Sequence, residues 1–316
     1  MTTAILGAGT LGCTIGAALT EAGHDTWLIG RPGPHVDALR TDGLRVEDDA
    51  GSRVIAVHAT ANAAEVGGAE LVIVLVKSFQ TRDAMYAARS LVGPETAVLS
   101  LQNGLGHEDL LSAVIGREHV LLGSTLVGGV LLGPGHIRTG TATRQTWIGE
   151  AEGPGAPRTH AVAALLNSAG LPTSVSDDMI ATRWEKLLIN VATGAIAALT
   201  GLSYGQLGTQ PLLLATGSDA VAEAMAVAAA AGVRLSTNDP ALVWQRATAG
   251  LPGGFRTSML QSLERGRPTE IDVINGAVVR LGERHGVPTP VNSTLVALVG
   301  GIERAHDDRR QREECG

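Results

Sequence analysis

The sequence of 316 residues predicts an α/β chain whose first part is a doubly wound, mostly parallel sheet and whose second part is all helix. Three observations predict this. Up to Asp177, short β-branched apolar runs alternate with amphipathic stretches, the pattern of parallel strands joined by covering helices. The first run is followed at once by glycines spaced G-x-G-x-x-G. From residue 178, long Ala- and Leu-rich segments with helical spacing take over. The expected division is 1–177 for the sheet domain, 178–306 for the helical domain and 307–316 for a charged tail. Two cores are the default for a chain longer than about 250–300 residues.

Each element follows from its local pattern. "TTAILG" reads as a strand, "LGCTIGAALTEAG" as the helix behind it and "DTWLIG" as a second strand. "ELVIVLVK" and "TAVLSLQNG" are nearly continuous apolar runs, as expected of strands covered on both faces, with "TRDAMYAARSLVG" as the helix between them. Beyond "HVLLGSTLVGG", the alternating polarity of "GHIRTGT" and "RQTWIGE" predicts antiparallel additions at the sheet's edge. "EAEGPGAPRTH" reads as a surface loop, "AVAALLNSAG" as a helix and "LPTSVS" as a last strand. The helices of the second part are "TRWEKLLINVATGAIAALTG", "LATGSDAVAEAMAVAAAAG", "PALVWQRATAG", "SMLQSLERG", "VINGAVVRLGERHG" and "STLVALVGGIERAHDDRR".

Composition narrows the function. With 44% hydrophobic and 17% charged residues the chain has an ordinary folded composition, which excludes disorder for most of it. A net charge of −7 with few aromatics argues against a nucleic-acid surface. The tail "IERAHDDRRQREECG" mixes both signs of charge and is expected to fray in solvent. Cys13 and Cys315 show neither pairing logic nor metal-ligand spacing, which suits a reducing cytoplasm, and no metal is expected. No basic n-region precedes an apolar segment at the start, so no signal peptide is expected. The weakly polar run at 120–133 is shorter than the roughly 20 residues of a membrane helix. A soluble, cytoplasmic protein is the expectation.

In "AILGAGTLGCTIGAAL" the residues Gly7, Ala8, Gly9, Thr10, Leu11 and Gly12 link a strand to a helix. Gly7 makes the tight turn, Gly9 admits a pyrophosphate close to the backbone, and Gly12 lets helix and sheet pack. The helix N-terminus then offers unpaired N–H groups to phosphate. An NAD site places an acid at the end of the second strand, for the ribose 2′-hydroxyl. Here "LIGRPG" has Gly30 there and Arg31 next, which suits a 2′-phosphate and hence NADPH; a solvated turn arginine is the alternative. Lys77 and Asn103 follow two central strands, where ligands of such sheets lie, although loop polarity would also account for them.

In the apolar helix "TRWEKLLINVATGAIAALTG", Lys186 and Asn190 share one face at i and i+4. A buried ammonium is costly and has its pKa lowered, which suits a general acid toward a substrate oxygen; a lysine snorkelling to solvent is the equal alternative. Glu270 in "GRPTEID" could pair with that lysine or contact a ribose or amide, and Ser258 in "FRTSML" could donate to a substrate carboxylate. Helix capping is the competing account of both.

The segments "GAGTLG", "LIGR", "VKSFQT", "LQNGLG", "RWEKLLINVATGAIAALTG", "SMLQSLERGRPTEIDVINGAVV" and "HGVPTPVN" resemble, in order and along nearly the whole chain, the NADPH-dependent ketopantoate (2-dehydropantoate) reductases. The resemblance implies a Rossmann domain followed by a helical domain of the 6-phosphogluconate-dehydrogenase C-terminal type, with the active site in the cleft between them. It implies Lys186 as proton donor, Asn103 touching nicotinamide and substrate, and Asn190 and Ser258 binding substrate. It further implies Glu270 against cofactor or lysine, Arg31 and Lys77 serving phosphates and ribose, and the Gly128 backbone approaching the cofactor. Two positions depart from the family, which usually carries asparagines where this chain has Gly194 and Tyr204.

The expected activity is therefore NADPH-dependent reduction of a 2-oxo acid to a 2-hydroxy acid, first of all 2-dehydropantoate to pantoate in pantothenate biosynthesis. The alternatives are reduction of another 2-oxo acid or an imine in specialised metabolism, and NADPH sensing without turnover. The expected partner is a small-molecule 2-oxo acid, with no nucleic acid and no membrane, and a homodimer is one assembly open to the chain.

Overall fold

The computed structural model of the chain describes residues 1–140, 145–248 and 253–314. Cys315, Thr141 at the end of one predicted strand, and Ala249 and Gly250 at the end of one predicted helix lie outside the described residues. The chain divides into two compact units, Met1–Gln102 with Gly106–Thr182, and Asn103–Leu105 with Arg183–Gly316.

The first unit opens with β1 (Thr3–Leu6), α1 (Thr10–Glu21), β2 (Thr26–Ile29) and α2 (Pro34–Thr41). A hairpin of β3 (Leu44–Asp48) and β4 (Gly51–Ile55) leads to the short β5 (His58–Thr60). Then come β6 (Ala69–Val74), α3 (Thr81–Ala87), β7 (Val92–Ser100), α4 (His107–Ile115) and β8 (Val120–Thr125). The unit continues through β9 (Gly128–Gly133), β10 (His136–Gly140), β11 (Thr146–Gly149), α5 (Pro157–Ser168) and β12 (Thr173–Val175).

The main sheet has the order β12-β11-β8-β7-β6-β1-β2-β5. From β5 to β8 every pairing is parallel. Numbered among themselves, these six strands run 3-2-1-4-5-6, the doubly wound order whose switch point falls between β1 and β6. Alternate residues feed two cores: Ile5, Leu71, Ile73 and Leu99 on one face, and Ala4, Leu6, Val72, Val74 and Val98 on the other. Burial on both faces is why these strands read as continuous apolar runs. Leu6 is level with Ile29 on one side and Val74 on the other. The loops that follow β1, β2 and β6 therefore open along one rim of the sheet.

The edge differs from the expectation. β11 is antiparallel to β8 as predicted, but β12 continues the sheet beyond it. β10 leaves this sheet altogether for a second one of order β4-β3-β10-β9, which the sequence does not announce. Its strands are short and polar on one side, with Arg45, Glu47 and Arg138 among them, so alternation alone cannot say which sheet they join. The predicted helix at 81–93 ends at Ala87, because Leu91 turns into the core and Val92 already pairs with Ala69 in the sheet. The predicted loop at 150–160 gives up its last residues to α5, which Pro157 opens.

The second unit is all helix: α6 (Met179–Thr200), whose first turn belongs to the first unit, α7 (Tyr204–Leu207), α8 (Pro211–Ala230), α9 (Pro240–Thr248), α10 (Ser258–Glu264), α11 (Asn275–His285) and α12 (Pro290–Glu314). Leu187, Leu188, Val191, Ala192, Ala195 and Ile196 carry the apolar face of α6 into a core shared with α8, α10 and α12. A Cβ on Gly217 of α8 would lie 2.6 Å from the Ala192 carbonyl oxygen and 2.7 Å from the Trp244 ring, so glycine permits this close crossing. Among the described residues α8 alone has the length and apolarity to cross a membrane, yet Ala220, Val221, Ala224, Val227 and Ala228 are core residues. The tail expected to fray instead prolongs α12 to Glu314, with residues 307–312 exposed and an Arg310–Asp307 ion pair one turn apart.

Candidate active site

The glycine loop occupies the rim of the main sheet at its switch point. Gly7 takes φ +117°, and a Cβ there would lie 2.6 Å from the Val76 backbone nitrogen; a Cβ on Gly12 would lie 2.1 Å from the Gly7 carbonyl oxygen. These two glycines are therefore required by contact with the chain itself. Gly9 is different: it is exposed, and a Cβ there would meet nothing within 4 Å. Gly9 caps α1 without a side-chain hydrogen bond, and no acidic residue stands in the first turn. The unpaired N–H groups over Thr10, Leu11 and Gly12 thus face a space that a phosphate fits.

Gly30 lacks more than an acid. A Cβ there would sit 2.6 Å from Val36 Cγ2 and 3.1 Å from Ala8 Cβ, so a side chain enters only if Val36 shifts. Packing thus disfavours a carboxylate for a ribose 2′-hydroxyl, while Arg31, next in line, is exposed at the same rim. Lys77 lies just past β6, in a segment whose Val76 backbone touches Gly7. Gln102 fixes that segment, since its Nε2 donates to the Val76 carbonyl at 2.8 Å and to Thr81 Oγ1 at 2.8 Å. Gly128 is exposed with open space at its Cβ position, whereas its neighbour Gly129 packs against Thr10 Cγ2 at 2.9 Å from an ideal Cβ. Burial pushes the Cys13 thiol up to about 12, which removes it as a nucleophile.

The catalytic candidates of the second unit gather around α6. Burial lowers the Lys186 ammonium to about 8; the Glu270 carboxylate opposes that shift and the Arg183 guanidinium adds to it. A lysine poised near neutrality can give a proton to an oxygen developing negative charge and be recharged from water. Arg183, one turn before Lys186 and itself buried, donates from Nη2 to the Gly104 carbonyl at 2.9 Å. The Leu105 N–H reaches the Val273 carbonyl at 3.1 Å. Asn103, first of these three loop residues, is thereby held in the unit that carries Lys186 and Glu270. Asn190 follows Lys186 by one turn and is half-buried.

Capping does not account for Glu270 or Ser258. Thr257 is the N-cap of α10, its Oγ1 accepting from Leu260 N at 3.2 Å, and Ser258 is the exposed first helical residue. Before the 3-10 turn at Ile271–Val273, Thr269 Oγ1 accepts from Ile271 N at 3.2 Å, while the buried Glu270 makes no cap bond. In each case the preceding threonine serves the backbone and leaves the next side chain to other work. Gly194 is buried beneath Met259, whose Cε lies 3.5 Å from an ideal Cβ, an ordinary contact. The Tyr204 hydroxyl lies 3.2 Å from Thr193 Oγ1, and its ring tilts against Phe255.

Sequence reasoning missed Arg183 and Gln102. The i−3 spacing from Lys186 was a usable signal for the first; nothing in the sequence separates the second from its neighbours.

Residues 3–153 match the family described as ketopantoate reductase PanE/ApbA, and residues 178–303 match its C-terminal domain. The 2-dehydropantoate 2-reductase of Halobacterium salinarum is 34% identical over 306 residues, 96% of this chain and 99% of that one. The crystal structure of a PanE/ApbA family ketopantoate reductase from Ralstonia eutropha JMP134 is 36% identical, covers 97% of this chain and 100% of its own, and superposes with a TM-score of 0.88. D-mandelate dehydrogenase with NADH and anilino(oxo)acetate, 26% identical, covers 97% and 100% with a TM-score of 0.90. On matches that span both units, the chain belongs to the ketopantoate reductase family.

Proposed function

We propose that this protein reduces 2-dehydropantoate to pantoate with NADPH in the cytoplasm, the first unit binding cofactor and the second carrying the substrate and catalytic residues. The observation that carries the reading is Lys186, a half-buried lysine lowered to about 8 with Glu270 and Arg183 acting on its charge, in a chain whose sheet ends in an open glycine loop. Family membership and curated 2-dehydropantoate 2-reductases at 32–34% identity support the reaction. A nicotinamide cofactor supplies the hydride to the carbonyl carbon. Lys186 donates a proton to the carbonyl oxygen as the alkoxide forms, and Glu270 favours return of the ammonium from solvent. Asn103 and Asn190 orient the reacting groups, and Ser258 donates to the substrate. Arg31 and Lys77 hold the phosphates and ribose, with Gly7, Ala8, Gly9, Thr10, Leu11, Gly12 and Gly128 supplying backbone. The choice of NADPH rests on Arg31 beside Gly30, which brings no acid and where Val36 crowds a side chain.

The test is NADPH oxidation followed at 340 nm with purified protein and 2-dehydropantoate. A kcat/KM of about 10⁴ M⁻¹s⁻¹ or more is expected; its absence, with NADPH bound, would reject this substrate. A second reading keeps the chemistry and changes the 2-oxo acid. Gly194 brings no side-chain amide to α6 beyond Asn190, Tyr204 places an aromatic ring beside Thr193, and the neighbour named above carries a different 2-oxo ligand. A panel of aromatic and branched 2-oxo acids separates the two by their kcat/KM values.

A further inference from the structure

His35, in the first turn of α2, joins three segments of the first unit. Its Nδ1 accepts from the Gly135 N–H at 3.0 Å, in the turn between β9 and β10. That bond leaves Nδ1 without a proton, so the ring's proton is on Nε2. On that side the Nε2–H donates to Cys13 Sγ at 3.5 Å. The Cys13 thiol in turn donates to the Ala8 backbone carbonyl at 3.5 Å. Ala8 stands between Gly7 and Gly9, the second of which has open space at its Cβ position, and three residues separate His35 from Arg31.

The surrounding chain makes this imidazole a junction. The Gly135 carbonyl accepts from Arg45 N at 2.8 Å, which ties the same turn to β3. A Cβ on Gly135 would lie 3.0 Å from Ala38 Cβ, so the turn rests directly on α2. Burial lowers the His35 pKa, with the nearby Ala8 carbonyl opposing, in keeping with a neutral ring that donates on one side and accepts on the other.

We propose that His35 is a positioning residue for the cofactor, its Nε2–H holding the Cys13 thiol that donates to the Ala8 carbonyl, so that the glycine loop and the Arg31 end of α2 keep one fixed relation. The inference rests on the proposed cofactor site. A peptide whose carbonyl is held has its own N–H and the next one aimed in a defined direction, which is the property a backbone phosphate cradle needs. One hydrogen bond at this place sets affinity by about five- to tenfold.

The two nitrogens can be tested apart. Gln places an amide N–H where Nε2 stands, and Asn places a carbonyl oxygen where Nδ1 stands. The experiment measures NADPH Kd by fluorescence titration for the wild-type chain, His35→Ala, His35→Gln and His35→Asn, each well below its own melting temperature, with kcat at saturating NADPH. The expected result is a Kd raised about five- to tenfold in His35→Ala and His35→Asn, recovery to within about threefold in His35→Gln, and kcat within about twofold throughout. A Kd unchanged in His35→Ala, or rescue by Asn as complete as by Gln, would overturn the proposal. Failure of the wild-type chain to bind NADPH would overturn the cofactor site and this inference with it, whereas wild-type binding with indifferent variants would overturn this inference alone.

Discussion

Lys186 lies on an apolar helix at a place where an ordinary lysine would be fully charged, yet burial brings it to about 8. The proton transfer proposed for Lys186 needs its acid form. The kcat/KM for 2-oxo acid reduction should therefore be level below about pH 8 and fall about tenfold per pH unit above it. Glu270→Gln removes the charge that raises the lysine, so the alkaline limb should move to lower pH; a profile that does not move would separate Glu270 from the lysine's charge. Stability follows the same shift. The unfolded chain keeps the proton up to about 10.5 and the folded chain up to about 8, so this group's contribution to stability rises with pH across that window and is smallest below it. A second prediction concerns Gly30. Gly30→Asp, the change that copies an NAD site, should lower stability by about 1–3 kcal/mol through the clash with Val36 and Ala8 and gain no NADH activity. Thermal melts and an NADH/NADPH activity ratio check both halves. At this scale the sequence was informative where a polar residue broke an apolar pattern, as Lys186 and Asn190 do. It offered only the i−3 spacing from Lys186 for Arg183, whose guanidinium looks like a solvated charge until its bond to Gly104 is seen. It left capping open for Ser258 and Glu270 because only the bonds of Thr257 and Thr269 show which residues cap.

Helices and strands were legible in proportion to how much one physical pattern fixed them. The parallel strands announce themselves because both faces are buried, and α6, α8 and α11 because their apolar stripe is long. The β3–β4 hairpin and the second sheet were not legible, because a half-exposed alternating strand fits any edge with the right register. Nor was the start of α12. "HGVPTPVN" turns out to be a joint: the Gly286 backbone ends α11 in the left-handed region, and Pro290 opens α12. Glu223 of α8 then accepts from the Val291 and Asn292 N–H groups at 2.8 and 2.9 Å and from Asn292 Nδ2 at 2.7 Å. A carboxylate in that position satisfies helix N–H groups and meets the positive end of the helix. Glu223→Ala should cost about 2–4 kcal/mol, since it leaves buried donors of Asn292 unpaired, and Glu223→Gln should cost less. Denaturant unfolding gives the ranking; equal costs for the two variants would mean that the joint needs the carboxylate itself and that neither side-chain volume nor one amide oxygen replaces it.

At the scale of the molecule, the change of composition near residue 178 revealed two parts, but it could not reveal that Asn103–Leu105 count with the second. That membership depends on a bond between Arg183 and Gly104, 79 residues apart, and on the Leu105–Val273 backbone pair. The division has a kinetic consequence. Arg31 belongs to the first unit and is assigned to the 2′-phosphate, the end of the cofactor remote from the hydride; Asn190 belongs to the second and is assigned to the substrate. Arg31→Ala should raise the NADPH KM about tenfold or more, narrow the preference over NADH by the same factor and leave kcat within about twofold, as loss of a charge-assisted bond to a non-reacting group does. Asn190→Ala should lower kcat/KM for the 2-oxo acid and leave NADPH affinity unchanged. Two groups that touch different ligands and share no partner act independently, so the double variant should lose the product of the two factors, within about 0.5 kcal/mol of additivity. Steady-state kinetics with each reactant varied in turn measures all four terms. A double variant no worse than the poorer single one would mean that both residues act on one shared step, and the assignment of cofactor to one unit and substrate to the other would have to be given up.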